Sequence, residues 1–553
     1  MGEVSEINAV TIASTGLDAA AQPLIAELVT DRVASRLTAQ DPGLWGEQAR
    51  DEAAIRLGWT ALHQSSRPLI GEIATLREQL LDEGIDRVVL AGMGGSSLAP
   101  EVIAKTEGVA LTVLDTTDPG QVADALAGEL ARTVLVVSSK SGGTVETDSH
   151  RRVFVDAFAE EGIDPASRII VVTDPGTPLA ELAEREGYRR AFLADPHVGG
   201  RYSALSAFGL VPAGLAGADI ARMLDQAAAA AEALSADSPD NPAHRLAAAL
   251  AAAHLEGAEK VVLTNSDLGG PGALTGFGDW IEQLLAESTG KQGTGLLPVV
   301  VESIDAPAFQ MPGSDATPVA IGPARRGAAV ATEGPLGAQF LLWEYATAIV
   351  GRLLGVNPFD QPDVEAAKQA ARALLDSGDS GDADAASGAR AGETPLLLAV
   401  GAVEVYGNAG TDATPDDLDG VLRTFLATVR HGGYLAVHAY LDRLDDASAS
   451  LLRPELARRV PAHVTFGWGP RFLHSTGQYH KGGHPNGSFL QITGQAERDL
   501  AVPGMPYTLG ELQLAQAVGD GRVLTERGFP VLRLHLTDRA AGLAQLIRAI
   551  EGL

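Results

Sequence analysis

Cysteine is absent from the 553-residue chain, which excludes disulfides and thiolate metal sites. Positive charge is scarce: 41 Lys and Arg stand against 71 Asp and Glu, a formal net charge of -30. Such a surface argues against nucleic acid or an anionic membrane as a partner. It also means that a site for an anionic ligand must build its own local positive field. The first residues, MGEVSEINAVTIAST, lack a basic segment followed by an apolar core, so no secretory signal is expected. The longest apolar stretch, GAQFLLWEYATAIVGRLLGV from Gly337, is broken by Glu344 and Arg352 and reads as a core helix rather than a membrane span. A cytoplasmic location follows by elimination. There is no repeat of solenoid period. Nor is there a G-x-x-x-x-G-K-[ST] loop: Gly290-Lys291 is followed by Gln292 and lacks the upstream glycine, so an ATPase reading is poor.

What is present is alternation. RVVLAGMG, ALTVLD, TVLVVSS and RIIVVTD read as short buried strands separated by amphipathic helices, from about Asp86 to Leu205. That pattern implies a doubly wound parallel α/β sheet. The length implies two or more domains. A second series starts at KVVLTNSD, after the polar stretch SADSPDNP, which is the candidate boundary. The expected domains are 1–235, an N-terminal region with a first α/β domain, and 236–553, a second with a C-terminal segment. That segment carries the strand-like runs YLAVHAYL, HVTFGWG, SFLQITG and VLRLHLTD. The stretch 376–393 is acidic and rich in Gly, Ser and Ala, and reads as a flexible surface loop.

Two strand-to-helix turns concentrate glycine and hydroxyl groups. After RVVLAG, Gly92, Gly94 and Gly95 allow backbone close to a ligand, with Ser96 and Ser97 at the helix start. A dinucleotide site needs G-x-G-x-x-G with an acid about 20 residues on. Asp115 supplies the acid, but Ser97 replaces the third glycine, and an ordinary capped turn explains the segment equally well. After TVLVV comes SSKSGGTVET, Ser138 to Thr147. Here Ser139, Lys140, Ser141 and Thr144 fill the turn, Gly142 and Gly143 let N–H groups converge, and Thr147 falls about one turn into the helix. A cap needs one hydroxyl; this many at the positive end of a helix suit a phosphate.

The acid–base candidates are more scattered. Helical spacing in WIEQLLAESTGK puts Trp280, Leu284 and Glu287 on one face. Burial there would raise the carboxyl pKa toward the range of a general base. The competing reading pairs Glu287 with Lys291 on an exposed last turn. In FDQPDVEAAKQAARALL, Lys368 shares a face with Val364 and Ala371, and either points inward or lies on the surface near Glu365. Arg201, after Gly199-Gly200, suits an anionic intermediate or a structural ion pair. His474, His480 and His484 cluster in FLHSTGQYHKGGHPNG, read as a Gly-rich loop. Without an H-E-x-x-H helix, zinc is a weak reading, and a proton shuttle is equally open.

Together these segments resemble the phosphoglucose isomerase family. GMGGSSLAP and SSKSGGTVET are similar to its two phosphate loops, and GGRYSALSAFG, LLAESTGK and NPFDQPDVEAAK to three further blocks. LHSTGQY resembles the block with the family's ring-opening histidine. The resemblance implies two sugar-isomerase (SIS) domains of α/β class, each with a doubly wound parallel sheet. It implies interconversion of glucose 6-phosphate and fructose 6-phosphate through a cis-enediolate. By motif, Ser96, Ser139, Lys140, Ser141, Thr144 and Thr147 would hold the sugar phosphate, with Gly95 also at the substrate. Glu287 would move the proton between C2 and C1, and Arg201 would stabilise the enediolate with the Gly200 backbone nearby. Gln283 and Gln361 would line the pocket, and Lys368 and His474 would open the ring. No metal or cofactor is implied; the partner is a small sugar phosphate, and a homodimer is the expected assembly. The order Glu287, Lys368, His474 departs from typical members, in which the histidine block lies between the other two. It resembles the isomerase half of bifunctional transaldolase–phosphoglucose isomerase chains, and His480 is the alternative histidine. Starting at Met1 with no preceding domain long enough for a transaldolase, the chain is expected to have isomerase activity alone. Two alternatives are a non-catalytic SIS module that senses a sugar phosphate, and a dinucleotide oxidoreductase that uses the GMGGSS turn.

Overall fold

Val, Ile and Leu fill both faces of the central strands of the first sheet. Thr133–Ser138 and Ile169–Thr173 are buried throughout, and Arg87–Gly92 is buried but for Arg87, as parallel strands covered on both sides require. The computed structural model describes residues 8–265, 273–376, 395–407 and 417–553, without the side chains of 365–368, 374 and 376. The first sheet runs Thr112–Leu114, Arg87–Gly92, Thr133–Ser138, Ile169–Thr173, Arg190–Leu193, all parallel. A second runs Ala9–Ile12, Val330–Glu333, Ala316–Ile321, Lys260–Asn265, Leu297–Val300, parallel but for the edge strand Ala9–Ile12. The α/β class with parallel sheets is therefore what the alternation indicated.

The chain divides into two compact units, Met1–Asp115 with Gly128–Gln361, and Thr116–Ala127 with Pro362–Leu553. This differs from the division expected at 235/236. The two parallel sheets share one core, in which Leu90, Val136 and Ile170 of the first join Val261, Leu263 and Val319 of the second. SADSPDNP is a link between helices of that core. Asn241 donates to the Leu234 and Ala236 carbonyls and accepts from the Ala243 and His244 N–H groups, which starts the helix Pro242–Leu255. The stretch from Gly337 forms the buried helix Leu336–Leu354. Among the described residues no helix is long and apolar enough to cross a membrane.

The second unit has its own sheet: Leu396–Val400, Val403–Gly407, Val531–Leu536, Gly487–Gly494, Tyr434–Tyr440, His463–Trp468. Its last four strands are parallel and its first two antiparallel. Phe425, Val437, Leu490, Leu534 and Leu546 belong to a separate core. The four C-terminal strand-like runs thus make a third sheet rather than extending the second. Within this unit Asp118 pairs with Arg539 at 2.7 Å, and the Thr117 hydroxyl donates to Gln516 at 2.8 Å. Apart from Asp376, the acidic stretch 376–393 lies outside the described residues.

Candidate active site

The turn after Thr133–Ser138 leaves a helix end without a side-chain cap. Gly142 has φ 68°, and a Cβ there would lie 2.9 Å from the Leu179 nitrogen, so the position requires glycine. Thr144 stands at the N-cap of the 16-residue helix Val145–Glu160 yet makes no cap bond. Its Oγ1 lies 2.9 Å from the Ser139 hydroxyl. The hydroxyls bond to one another rather than to the helix, so they do not serve as its cap. Ser141 accepts from the Gly143 N–H at 3.3 Å. Thr147 is buried, and its Oγ1 has no hydrogen-bond partner among the described residues. Lys140 pairs with Asp174 instead of facing the turn alone. Burial lifts the Asp174 carboxyl above its ordinary range, against the pull of that lysine. The first-turn N–H groups of the helix add to the positive potential of the turn.

The earlier turn, Gly94–Ser96, is pressed against a second piece of backbone. A Cβ on Gly95 would fall 2.0 Å from the Gly200 carbonyl oxygen. This contact seats the Ser96 turn against the short turn Gly200–Tyr202, which carries Arg201. Ser97 precedes the helix Leu98–Glu107 and donates to the Gly94 carbonyl at 3.1 Å without capping.

Glu287 lies on the helix Phe277–Thr289, which is anchored where Trp280 stacks on Phe277 and meets Phe340 edge-on. Gln283, one turn back, donates to Glu287 Oε2 at 3.1 Å, and Arg201 Nε lies 3.3 Å from the same oxygen. Both charged side chains are buried, at 4% exposure for Arg201 and 10% for Glu287. The guanidinium is fixed by the chain at Asn357–Gln361. Nη1 donates to the Pro358 carbonyl at 3.0 Å; Nη2 donates to the Asp360 carbonyl at 3.1 Å and to Gln361 Oε1 at 2.8 Å. A buried cation held this way offers a preorganised charge beside a carboxylate. The structure therefore brings together Glu287, Arg201, Gln283 and Gln361, with Gly95 packed on Gly200.

An exposed Glu287–Lys291 pair does not form. Lys291 is 2% exposed, lies 2.8 Å from Asp360 Oδ1 and donates to the Asn357 carbonyl. Its own N–H and C=O exchange bonds with Thr294, both at 3.1 Å, in a tight turn that sends the chain back after the helix. Burial, and then the charge of Arg201, lower its pKa to about 8. Helical spacing does not single out Lys291; the signal that could have found it is the glycine pattern GKQGTG, which ends the helix at Thr289 and places Lys291 in the turn after it.

His474 and Lys368 belong to the second unit. Lys368 is on the helix Glu365–Asp376, and its side chain lies outside the described residues. The segment read as a Gly-rich loop forms two short helical turns, Arg471–His474 and Gly477–Gly482. His474 is part-exposed and His484 exposed, while His480 is buried. His480 Nδ1 lies 3.1 Å from the Tyr434 hydroxyl, and burial pushes the imidazole pKa down to about 3. A sealed, neutral ring is a poor proton shuttle, which weighs against His480 as the alternative to His474. Lys481 beside it pairs with buried Asp520 at 2.6 Å. Among the described residues the group of side chains close enough to share a metal ion is Asp124, Asp442 and Asp445, and it contains no histidine.

The family described as phosphoglucose isomerase matches residues 77–307, a span that holds both turns, Arg201, Gln283 and Glu287. A protein named "Probable glucose-6-phosphate isomerase" from Natronomonas pharaonis is 30% identical over 420 residues, 66% of this chain and 96% of that protein. Coverage of other relatives is shorter. The glucose-6-phosphate isomerase of Acaryochloris marina is 38% identical over 217 residues, 37% of this chain and 40% of its own length. Among solved structures, a hypothetical protein from Thermus thermophilus superposes with a TM-score of 0.56 at 26% identity, covering 66% of this chain and 99% of its own. A glucose-6-phosphate isomerase from Chlamydia trachomatis shares the fold, with a TM-score of 0.55 at 19% identity over 68% of this chain and 90% of its own.

Proposed function

The chain belongs to the phosphoglucose isomerase family, and from that premise we propose that it interconverts glucose 6-phosphate and fructose 6-phosphate, with Glu287 moving the proton between C2 and C1. The observation that carries this reading is the buried Glu287 carboxylate fixed between Arg201 and Gln283. A proton beside a carbonyl is weakly acidic, so the reaction needs a positioned base and a cation where the enediolate charge develops. A base in place contributes ~10²–10⁴-fold, and a fixed cation in a dry site on the order of 3 kcal/mol. The Nη groups of Arg201 are engaged by Pro358, Asp360 and Gln361 while its Nε lies 3.3 Å from Glu287 Oε2, so the charge is fixed beside the base.

The sugar phosphate is assigned to Ser96, Ser139, Ser141, Thr144 and Thr147 and to the first-turn N–H groups of Val145–Glu160. It is remote from the reacting carbons, so its binding energy orients the sugar before chemistry. Lys140, which pairs with Asp174, has further ammonium N–H groups to offer it. His474 and Lys368 are the candidates for ring opening, and His474 is favoured over the sealed His480. A sensor of sugar phosphates would need the two turns but no buried glutamate–arginine pair. A cytoplasmic homodimer acting on a small sugar phosphate completes the reading. Its test is a coupled assay in which glucose 6-phosphate formed from fructose 6-phosphate is oxidised as it appears. Steady turnover is expected, and an inactive chain would overturn the proposal.

A further inference from the structure

A second buried cation stands at the Glu287–Arg201 site with no part in the reaction just described. Lys291 follows the Glu287 helix and, at 2% exposure, is as deeply buried as Arg201. Taking an ammonium out of water is costly unless fixed acceptors replace the water. Lys291 donates to the Asn357 carbonyl and forms an ion pair with Asp360, its Nζ 2.8 Å from Oδ1. Those acceptors belong to the same short stretch, Asn357–Gln361, whose carbonyls and Gln361 side chain hold Arg201. Asn357 is itself tied down, its Oδ1 accepting from the Phe359 N–H at 3.0 Å. One loop thus couples two cations: what Lys291 does to Asn357 and Asp360 is passed to the guanidinium beside Glu287.

Resting on the isomerase reading, we propose that Lys291 is a positioning residue for the proton transfer: it anchors the Asn357–Gln361 loop that aims Arg201 at the reacting carbons and adds its own charge to the field there. The charged groups that face it are Arg201, Asp360 and Glu287. Burial and Arg201 bring its pKa down to about 8. The protonated form is the one that grips Asp360, so turnover falls as pH rises through that value.

The test is kcat and KM for fructose 6-phosphate against pH for the wild type, Lys291→Met and Lys291→Arg. The wild type should lose kcat on an alkaline limb centred near the lysine pKa. Lys291→Met should lower kcat by ~10–100-fold, the scale of a slightly misplaced catalytic group, leave KM within about threefold, and abolish the limb. Lys291→Arg should recover much of the loss and move the limb beyond the assay range, because a guanidinium does not titrate there. A lysine with only a structural role would change stability without moving the limb. The proposal is overturned if the three profiles share one alkaline limb, or if Lys291→Met keeps kcat within twofold of the wild type. Where Lys291→Met fails to fold, the limb of the wild type and its displacement in Lys291→Arg decide the matter. An inactive wild type would instead overturn the isomerase reading.

Discussion

The buried glutamates of the first unit include Glu287 on Phe277–Thr289 and Glu344 on Leu336–Leu354, and the two are set in opposite surroundings. Around Glu287 the structure sets Gln283 at 3.1 Å and Arg201 at 3.3 Å. The Glu344 side chain is fully buried, and neither carboxyl oxygen has a hydrogen-bond partner among the described residues. Burial pushes the Glu344 pKa well above its ordinary value, so it sits in the core as a neutral acid. A carboxylate can keep its charge in a core only where cations and donors stand in for water. Burial alone therefore does not mark a base; the neighbours do, and Glu287 has them.

Breaking that contrast from the Glu287 side has the largest expected effect. Glu287→Gln preserves shape and the neighbour at Gln283 but removes the base. Steady-state kinetics should show kcat down by ~10²–10⁴-fold, with binding of the sugar phosphate changed only a few-fold by calorimetry. A variant that keeps more than a few per cent of wild-type kcat would take the base role from Glu287. The effect at the phosphate turn is smaller and of another kind. Ser139→Ala and Thr144→Ala should each raise KM by roughly 10–100-fold, the worth of a hydrogen bond to a charged group, ~1.5–3 kcal/mol, with kcat little changed. An unphosphorylated sugar should not tell these variants from the wild type; if it does, the turn acts through something other than phosphate.

The smallest effect is expected at Glu344, and it has the opposite sign. Glu344→Met replaces two orphan oxygens with a side chain of similar volume, so the melting temperature should rise, by about 2–4 °C for each kcal/mol relieved, with activity intact. The fold holds the Glu344 proton to a higher pH than the unfolded chain does, where the carboxyl titrates near ~4.3. Wild-type stability is therefore fullest below that pH and is lost as pH climbs toward the folded value, so the advantage of Glu344→Met should widen with pH. An advantage that narrows with pH would mean that Glu344 has found a cation.

What could be read from the chain was what is local. SSKSGGTVET is legible because strand, glycine turn and helix follow one another, and a row of hydroxyls at that junction has few uses. The parallel α/β class is legible from the alternation of apolar runs and amphipathic stretches. The Glu287 site is legible only by resemblance, since Arg201, Glu287 and Asn357–Gln361 are distant in the chain and meet through packing. The same packing hides Lys291, which an isolated helix would expose. The expected 235/236 boundary misled because a polar link between two helices of one core has the same composition as a link between domains. His474 and His480 look alike in sequence; Tyr434 and the core around it make one of them neutral and sealed.

The central claim, that Glu287 carries a proton between C2 and C1, is tested most directly by isotope exchange. Fructose 6-phosphate is turned over in deuterium oxide and the sugar carbons are followed by NMR. With a carboxyl carrier that exchanges with solvent, the wild type should place deuterium at C2 of the glucose 6-phosphate formed, and Glu287→Gln, with the sugar phosphate bound, should place none over the same time. Deuterium uptake by Glu287→Gln at the wild-type rate, or none by the wild type over many turnovers, would contradict it.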